Sequence, residues 1–104
     1  MTKKNINKKA PSWDDFVQDQ MQDPEFALAY QIEFDKLQLA RKLKNLREIS
    51  HISQTDLAHM VGTKQPAIAR LESGKVTPKL DLLEKIAFAL GRTLDIRFTK
   101  KSAI

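Results

Sequence analysis

The stretch from Ser53 to Gly74 constrains the fold of this chain more than any other part of it. Ser53 is a good N-cap, and Asp56 three residues later completes a pattern like a capping box. Gly62 predicts the end of this helix, because a left-handed C-terminal residue costs glycine little. Thr63 is expected to cap a second helix, which Gly74 ends. The stretch therefore predicts two short helices joined by a tight turn.

The apolar residues of these two helices recur at helical spacing, which separates a buried side from an outer surface. The first helix is expected to bury Leu57, Ala58 and Val61, and the second to bury Ile68 and Leu71. The outer surface of the second helix has no acidic residue and consists of Lys64, Gln65, Pro66, Ala69 and Arg70. Glutamine can bond adenine in two places, and arginine can do the same to guanine. The surface is typical of a recognition helix in the major groove of DNA. The alternative is an ordinary helical hairpin with a solvated basic face.

Residues 36–98 resemble the Cro/cI (Xre) type of helix-turn-helix repressor. The residues that carry the resemblance are Ser53, Gln54, Leu57, Ala58, Val61, Gly62, Thr63, Gln65, Ile68, Leu71, Glu72, Gly74, Lys75, Leu90 and Gly91. The resemblance implies an all-α, compact helical bundle. The candidate DNA-binding residues are Gln54, Thr63, Lys64, Gln65, Pro66, Ala69, Arg70 and Lys75.

Within this set, the resemblance implies different roles on double-stranded operator DNA. Gln54 would clamp a phosphate, and Thr63 and Lys75 would meet the DNA backbone. Base edges would be faced by Gln65, Pro66 and Arg70. Many relatives carry a hydrogen-bonding side chain where this chain has Pro66. More of the base reading would therefore fall to Gln65 and Arg70.

Charge divides the chain into three parts. The formal net charge of +5 suits a polyanionic partner such as nucleic acid. Residues 1–12 carry four lysines and no acid, and residues 13–35 carry seven acidic residues and no lysine or arginine. Residues 36–104 carry a net charge of +8. An acidic segment ahead of a basic module would be repelled by DNA, so it is expected to serve another partner.

The acidic segment also contains most of the aromatic residues of the chain, Trp13, Phe16, Phe26, Tyr30 and Phe34. Ser12 predicts the start of one helix, which carries Val17 beside the first two rings. Asp23 and Pro24 predict the start of another helix, which either continues into the DNA-binding module or ends near Asp35. The rings either pack on the chain's own core or anchor a partner protein. We favour the partner, because the helix-turn-helix module closes its own core and aromatic residues dominate interface hot spots.

The run from Asp23 to Phe26, with the alanine and tyrosine residues after it, resembles the arm of HigA-type antitoxins, and the combined resemblance covers residues 12–98. It implies a cognate basic toxin of the HigB/RelE-like class, an endonuclease that cuts messenger RNA on the ribosome, and repression of the antitoxin's own operon. The candidate toxin contacts are Trp13, Phe16, Val17, Phe26, Tyr30 and Phe34. The alternative is a free-standing Cro/cI-like phage or chromosomal repressor whose arm packs on its own core. A third class, a protein-interaction adaptor, would show no salt-dependent DNA binding.

The C-terminal third predicts a further helix and then a change of period. Thr77 and Pro78 resemble a cap and first residue, and the expected inner face is made of Leu80, Leu83, Ala87 and Leu90. Leu94, Ile96 and Phe98 then alternate with polar residues, which predicts a short strand. A lone strand is not stable, so it either packs as an extended tail or pairs with the same strand of a second copy. We expect a homodimer, in which the recognition helices would be spaced by about one DNA turn.

Other classes of function find little support in the sequence. There is no cysteine, and the two histidines stand at poor metal spacing without other ligands, so we expect no metal site and no cofactor. No glycine-rich phosphate loop and no nucleophile setting is present, and we expect no enzymatic activity. No apolar run is long enough to span a membrane and no signal peptide is recognisable, so a cytoplasmic location is expected.

The predicted fold is therefore all-α, a helix-turn-helix bundle with an N-terminal helical arm and one short C-terminal strand. The predicted parts are an arm over residues 1–35, disordered over 1–11 and toxin-binding over 12–35, a DNA-binding domain over 36–91, and a dimerisation strand and tail over 92–104.

Overall fold

The computed structural model of this protein describes residues 12–100, and this part of the chain is all-α. The predicted disorder of residues 1–11 and the last residues of the predicted tail, 101–104, lie outside the described residues. The helices are α1 (Trp13–Gln20), α2 (Pro24–Ile49), α3 (Gln54–Val61), α4 (Gln65–Glu72) and α5 (Leu80–Ala89). The chain divides into two compact units, Met1–Asp35 and Lys36–Ile104.

Three predicted helix starts are confirmed by their hydrogen bonds. The Ser12 hydroxyl accepts from the backbone N–H of Asp15 at 3.1 Å, and the Ser53 hydroxyl accepts from that of Asp56 at 3.0 Å. The carboxylate of Asp23 accepts from the backbone N–H of Glu25, the second residue of α2, at 3.0 Å. Side-chain oxygens therefore satisfy orphan donors at the starts of α1, α2 and α3.

The predicted cap at Thr63 is wrong. The backbone N–H of Thr63 donates to the carbonyl of Ala58 at 2.8 Å and so belongs to the turn that closes α3. Lys64 therefore becomes the N-cap of α4, with an extended backbone and no side-chain cap bond.

The predicted start of α5 at Thr77 and Pro78 is also wrong. The helix begins at Leu80, and Lys79, with an extended backbone, is its N-cap. The later start leaves Leu80 in the first turn, where its side chain is 56% exposed instead of facing inward. The register also brings Ile86, a residue that the expected inner face omits, into the centre of the core.

Four helices end with the same pair of backbone hydrogen bonds, which is the Schellman arrangement. In each case a residue with positive φ is followed by a residue whose N–H reaches back five positions. Glycine occupies the positive-φ position after α3, α4 and α5, as the sequence predicts, whereas His51 occupies it after α2 with φ 57°. A side chain in the left-handed region costs about 1–2 kcal/mol, so His51 is strained where the glycines are not.

Opposite substitutions at two of these positions should have opposite effects on stability. We expect His51→Gly to raise the free energy of unfolding by up to about 1 kcal/mol, because relief of the left-handed backbone exceeds the entropic cost of glycine. Gly62→Ala should lower it by about 1–2 kcal/mol, since the added Cβ would meet nothing within 4 Å and only the backbone is strained. Urea denaturation measures both. His51→Ala is the control, and a gain equal to that of glycine would show that the imidazole, not the backbone, is responsible.

The core of the second unit lies around α3, which packs against α4 and α5. The predicted inner residues of α3 and α4 are all buried, which confirms both helical faces. The buried cluster comprises Leu43, Leu57, Ala58, Val61, Ile68, Leu71, Ile86 and Leu90. All of these residues follow Lys36, so this unit closes its core from its own side chains.

α2 is one continuous helix, which resolves the alternative of a break near Asp35. Its buried residues are Ala40, Leu43 and Arg47, all in its C-terminal half. In α1, by contrast, no residue is buried. The acidic N-terminal segment thus forms helices with exposed faces.

The predicted C-terminal strand is absent from residues 92–100 of this single chain. Those residues have no regular structure, because a strand needs a hydrogen-bonded neighbour and residues 12–100 offer none to them. Leu94 is half-buried there, whereas Ile96 and Phe98 are exposed. Between Ser12 and Lys100, no helix has the length and apolar character needed to cross a membrane.

Candidate nucleic-acid interface

The N-terminal part of α4 presents the predicted recognition surface. Lys64, Gln65, Pro66 and Arg70 are exposed, and Ala69 is half-buried. Pro66 falls within the first turn, where a missing N–H costs nothing. The first turn contains no acidic residue, so the positive end of the helix dipole is not neutralised there. The exposed face is thus polar and cationic, as a phosphate-lined groove requires.

The other predicted DNA contacts lie at the two ends of α4 and at the start of α3. Thr63 and Gln54 are half-buried, and Lys75 is exposed. The backbone N–H of Lys75 donates to the carbonyl of Arg70 at 3.2 Å, which places Lys75 directly after the end of α4. The structure thus places these residues on and around the two helices of the motif, and their contacts with DNA stay predictions.

A chain of side-chain hydrogen bonds runs from the recognition helix into the core. Gln65 Nε2 donates to Gln54 Oε1 at 2.9 Å, and Gln54 Nε2 donates to Glu72 Oε1 at 3.0 Å. Glu72 in turn accepts from Arg47 Nε at 2.6 Å and from Arg47 Nη2 at 3.0 Å. The candidate base-reading side chain of Gln65 is therefore oriented by Gln54, which is oriented in turn by Glu72.

Arg47 and Glu72 form a bidentate ion pair that is almost closed to solvent. Their side chains are 10% and 4% exposed. Arg47 Nη1 also donates to the carbonyl of Ile52 at 2.8 Å, which ties α2 to the loop before α3. Sequence reasoning missed both residues of this pair, although an acid at the inner edge of an otherwise basic helix was a signal. The pair connects α2 to α4, the second helix of the motif.

The pair also changes the ionisation of its members. Burial acts to raise the pKa of Glu72, but the hydrogen bonds from Arg47 and Gln54 outweigh burial and hold the pKa below its ordinary value. The hydrogen bond to Glu72 likewise raises the pKa of Arg47 above its ordinary value. Both groups are therefore charged at neutral pH.

Glu72 should make the stability of this protein sensitive to acid. Because its pKa is lower in the folded state, its ionisation contributes fully above the unfolded pKa, about 4.3, and the contribution is lost as the pH falls through the folded value. We expect the free energy of unfolding to fall below about pH 4.3. The urea midpoint as a function of pH measures this. In Glu72→Gln the acid slope should be shallower, and an unchanged slope would assign it to other carboxylates.

The aromatic residues of the N-terminal segment form two pairs, in which Phe26 is half-buried and the other three rings are exposed. The rings of Trp13 and Phe16 stack with centroids 5.4 Å apart, and the Trp13 side chain is 71% exposed. The rings of Phe26 and Tyr30 lie 6.3 Å apart at an angle of 38°. Phe34 is also exposed, and Val17 is half-buried. Large apolar surface is therefore left in water among acidic side chains.

The described residues offer no obvious place for a metal ion. From Ser12 to Lys100, no group of three histidine, aspartate or glutamate side chains is arranged to hold one.

The comparisons with known proteins agree with this architecture. A family model described as helix-turn-helix matches residues 43–96, about half of the chain. An uncharacterized HTH-type transcriptional regulator of Haemophilus influenzae is 34% identical over 94 residues, which cover 88% of this chain and 92% of the relative.

Two solved structures are similar to this chain in sequence as well as in fold. The restriction-modification controller protein C.AhdI from Aeromonas hydrophila superposes with a TM-score of 0.56 and 27% identity, over 58% of this chain and 87% of that one. A chain of the toxin–antitoxin module from Streptococcus pneumoniae superposes with a TM-score of 0.53 and 31% identity, over 88% of this chain and 97% of that one. Since residues 36–104 are only about two thirds of this chain, the second match extends into the N-terminal segment. The motif, its buried faces and these similarities show that the chain belongs to the helix-turn-helix family, which includes HTH-type transcriptional regulators.

Proposed function

We propose that this protein is an antitoxin that represses its own operon. In this proposal a dimer binds operator DNA through α4, and the acidic N-terminal arm, residues 12–35, neutralises a basic HigB/RelE-like toxin that cuts messenger RNA. The observation that carries the proposal is the similarity to a chain of the Streptococcus pneumoniae toxin–antitoxin module, which spans almost all of both chains and includes part of the arm.

The DNA-binding half of the proposal is supported by the surface of α4. Gln65 and Arg70 are exposed on a helix without an acid in its first turn, and these side-chain types can make two bonds to adenine and guanine. Lys64 and Lys75 lie just before and just after the helix and add positive charge for phosphates. Binding through such a surface depends on salt, because condensed counterions are released from the DNA.

The toxin-binding half is supported by the exposed rings and the charge of the arm. Each pair of rings supplies an apolar anchor of the type that dominates interfaces. Residues 13–35 carry seven acidic side chains and no lysine or arginine, so a basic partner is attracted and the segment stays in solution when alone. DNA, in contrast, is repelled by the same charges. The two halves of the chain therefore suit different partners.

Replacing Arg70 and replacing Lys75 should weaken DNA binding in different ways. We expect Arg70→Ala to cost about 1–3 kcal/mol on the operator and to relax specificity at one base pair, since a base reader is removed. Lys75→Ala should weaken binding to all sequences alike and reduce the salt slope by about one. Fluorescence anisotropy with operator and scrambled duplexes at several salt concentrations measures both. Equal losses on both duplexes for Arg70→Ala would contradict base reading.

Growth of cells tests the toxin-binding half. We expect a short basic protein to be encoded beside this chain, to stop growth when it is expressed alone, and to permit growth when the full chain is co-expressed. Hydrogen exchange then distinguishes two hypotheses for this protein, an antitoxin and a free-standing repressor. Amides of residues 26–34 that gain protection only when the toxin is added support the antitoxin. Full protection without any partner favours a repressor whose arm packs on its own protein.

A further inference from the structure

The hydrogen bonds that join Gln65, Gln54 and Glu72 form an amide relay in which all donors point the same way. Gln65 Nε2 donates to Gln54 Oε1 at 2.9 Å, and Gln54 Nε2 donates to Glu72 Oε1 at 3.0 Å. The relay begins at an exposed side chain, Gln65, and ends at a carboxylate whose side chain is 4% exposed. Its direction is therefore from the recognition surface towards the interior.

Glu72 determines this direction, because an ionised carboxylate accepts hydrogen bonds and donates none. Turning the Gln54 amide by half a turn would place its carbonyl oxygen against the carboxylate, with no proton between the two acceptors. Such a contact is costly at a site that is almost closed to water. The NH2 group of Gln54 is therefore held towards Glu72, and its carbonyl oxygen is left for Gln65.

Arg47 keeps Glu72 in the form that only accepts. Its Nε and Nη2 atoms donate to the two carboxylate oxygens at 2.6 Å and 3.0 Å. A cation at this distance favours the carboxylate over the carboxylic acid, whose O–H could donate. The direction of the relay is thus set by a buried charge pair behind the recognition helix.

The direction decides which hydrogen-bonding groups Gln65 has left for a base. Gln54 takes one N–H of Gln65, so the other N–H and the carbonyl oxygen stay available. In the major groove adenine offers the N7 acceptor and an N6 donor, which match this set. Guanine offers two acceptors, and its O6 would face the carbonyl oxygen of Gln65. With the relay reversed, both N–H groups would be free and would suit guanine instead.

We propose that Glu72 is a positioning residue that makes Gln65 selective for adenine over guanine, by fixing the direction in which the Gln54 and Gln65 amides donate. The proposal rests on the DNA binding through α4 in the proposed function and adds the residue that sets the base preference there. Glu72 acts through Gln54, since its own side chain is almost closed to solvent and does not face the groove.

Base preference in Glu72→Gln tests the proposal, because an amide at this position can donate as well as accept and permits both directions. Selection from random duplexes gives the preferred site, and the base pair whose preference Gln65→Ala removes is the one that Gln65 reads. Fluorescence anisotropy then compares adenine and guanine at that position. We expect the unaltered chain to bind the adenine duplex at least about tenfold more tightly. Glu72→Gln should bind the two duplexes within about threefold of each other.

Controls separate the direction of the relay from the stability of the fold. The double variant Arg47→Met with Glu72→Gln leaves no uncompensated buried charge and should lose the adenine preference like Glu72→Gln. Ile86→Ala opens a cavity in the core by a different route and should keep the preference. In Gln65→Ala, the further change Glu72→Gln should alter nothing, since the side chain that carries the direction to the base is gone. Circular dichroism identifies the temperature at which each variant is folded.

The outcomes distinguish this inference from the proposed function. An adenine preference that persists in both Glu72→Gln variants, or that Ile86→Ala removes as fully, would overturn the role of Glu72 while DNA binding through α4 stands. A preferred base pair other than A·T at the position read by Gln65 would do the same. An unaltered chain that binds no duplex at low salt would overturn both proposals.

Discussion

Replacement of Arg47 by alanine is expected to lower the free energy of unfolding by about 3–5 kcal/mol. The substitution leaves the Glu72 carboxylate, whose side chain is 4% exposed, without its bidentate partner. It also removes the donor to the carbonyl of Ile52. Since small domains are stable by only about 5–15 kcal/mol, this is a large fraction of the total stability. Urea denaturation followed by circular dichroism measures the change.

The chain contains its own control for this prediction. Arg97 and Asp95 form an ion pair of similar length, 2.7 Å, but their side chains are 72% and 62% exposed. Exposed pairs contribute about 0–1 kcal/mol, so Arg97→Ala should have little effect. The double variant Arg47→Met with Glu72→Leu should be more stable than Arg47→Ala, because no uncompensated charge stays buried. Equal losses for Arg47→Ala and Arg97→Ala would show that burial does not govern the pair.

Removal of the stacked rings of α1 should abolish neutralisation of the toxin. In the double variant Trp13→Ser with Phe16→Ser, two apolar anchors are lost from a helix whose residues are all accessible to a partner. Central aromatic hot spots contribute about 2 kcal/mol or more each, so loss of two should weaken binding by roughly several hundredfold. Calorimetric titration with the toxin measures the affinity, and growth after co-expression measures protection.

Control variants distinguish loss of the toxin-binding rings from the general effect of removing an exposed apolar side chain. Leu80→Ser removes an exposed apolar side chain outside the arm and should bind the toxin normally. The ring variant should also bind operator DNA normally, because α4 is unaltered. If the ring variant still binds and protects at full strength, the arm does not hold the toxin through α1.

Local signals in the sequence were sufficient for most of the fold. The cap of α3 at Ser53 and its end at Gly62 each depend on residues within one helical turn, so the sequence predicts them directly. The buried positions of α3 and α4 follow from the periodicity of apolar residues. At Thr63 the prediction was wrong by one residue: Thr63 closes the Schellman turn of α3, and Lys64 is the N-cap of the next helix.

Features that depend on distant parts of the chain were not predictable. Arg47 and Glu72 are far apart in sequence, and only the packing of α2 against the motif brings them together. The inner face of α5 was misassigned because a shift in its start rotates Leu80 outward and Ile86 inward. The prediction of a strand at residues 94–98 was wrong for a related reason, since residues 12–100 contain no second strand with which it could pair.

The hydrogen bonds that hold Gln65 have a consequence for redesign of DNA specificity. A free glutamine loses up to about 1.5–2 kcal/mol of rotamer freedom when it is fixed, and the amide of Gln54 imposes much of that order before DNA arrives. A new side chain at position 65 alone would forfeit this preorganisation and leave the Gln54 carbonyl without its donor. Variants with altered specificity should therefore be selected from libraries that randomise positions 54 and 65 as a pair.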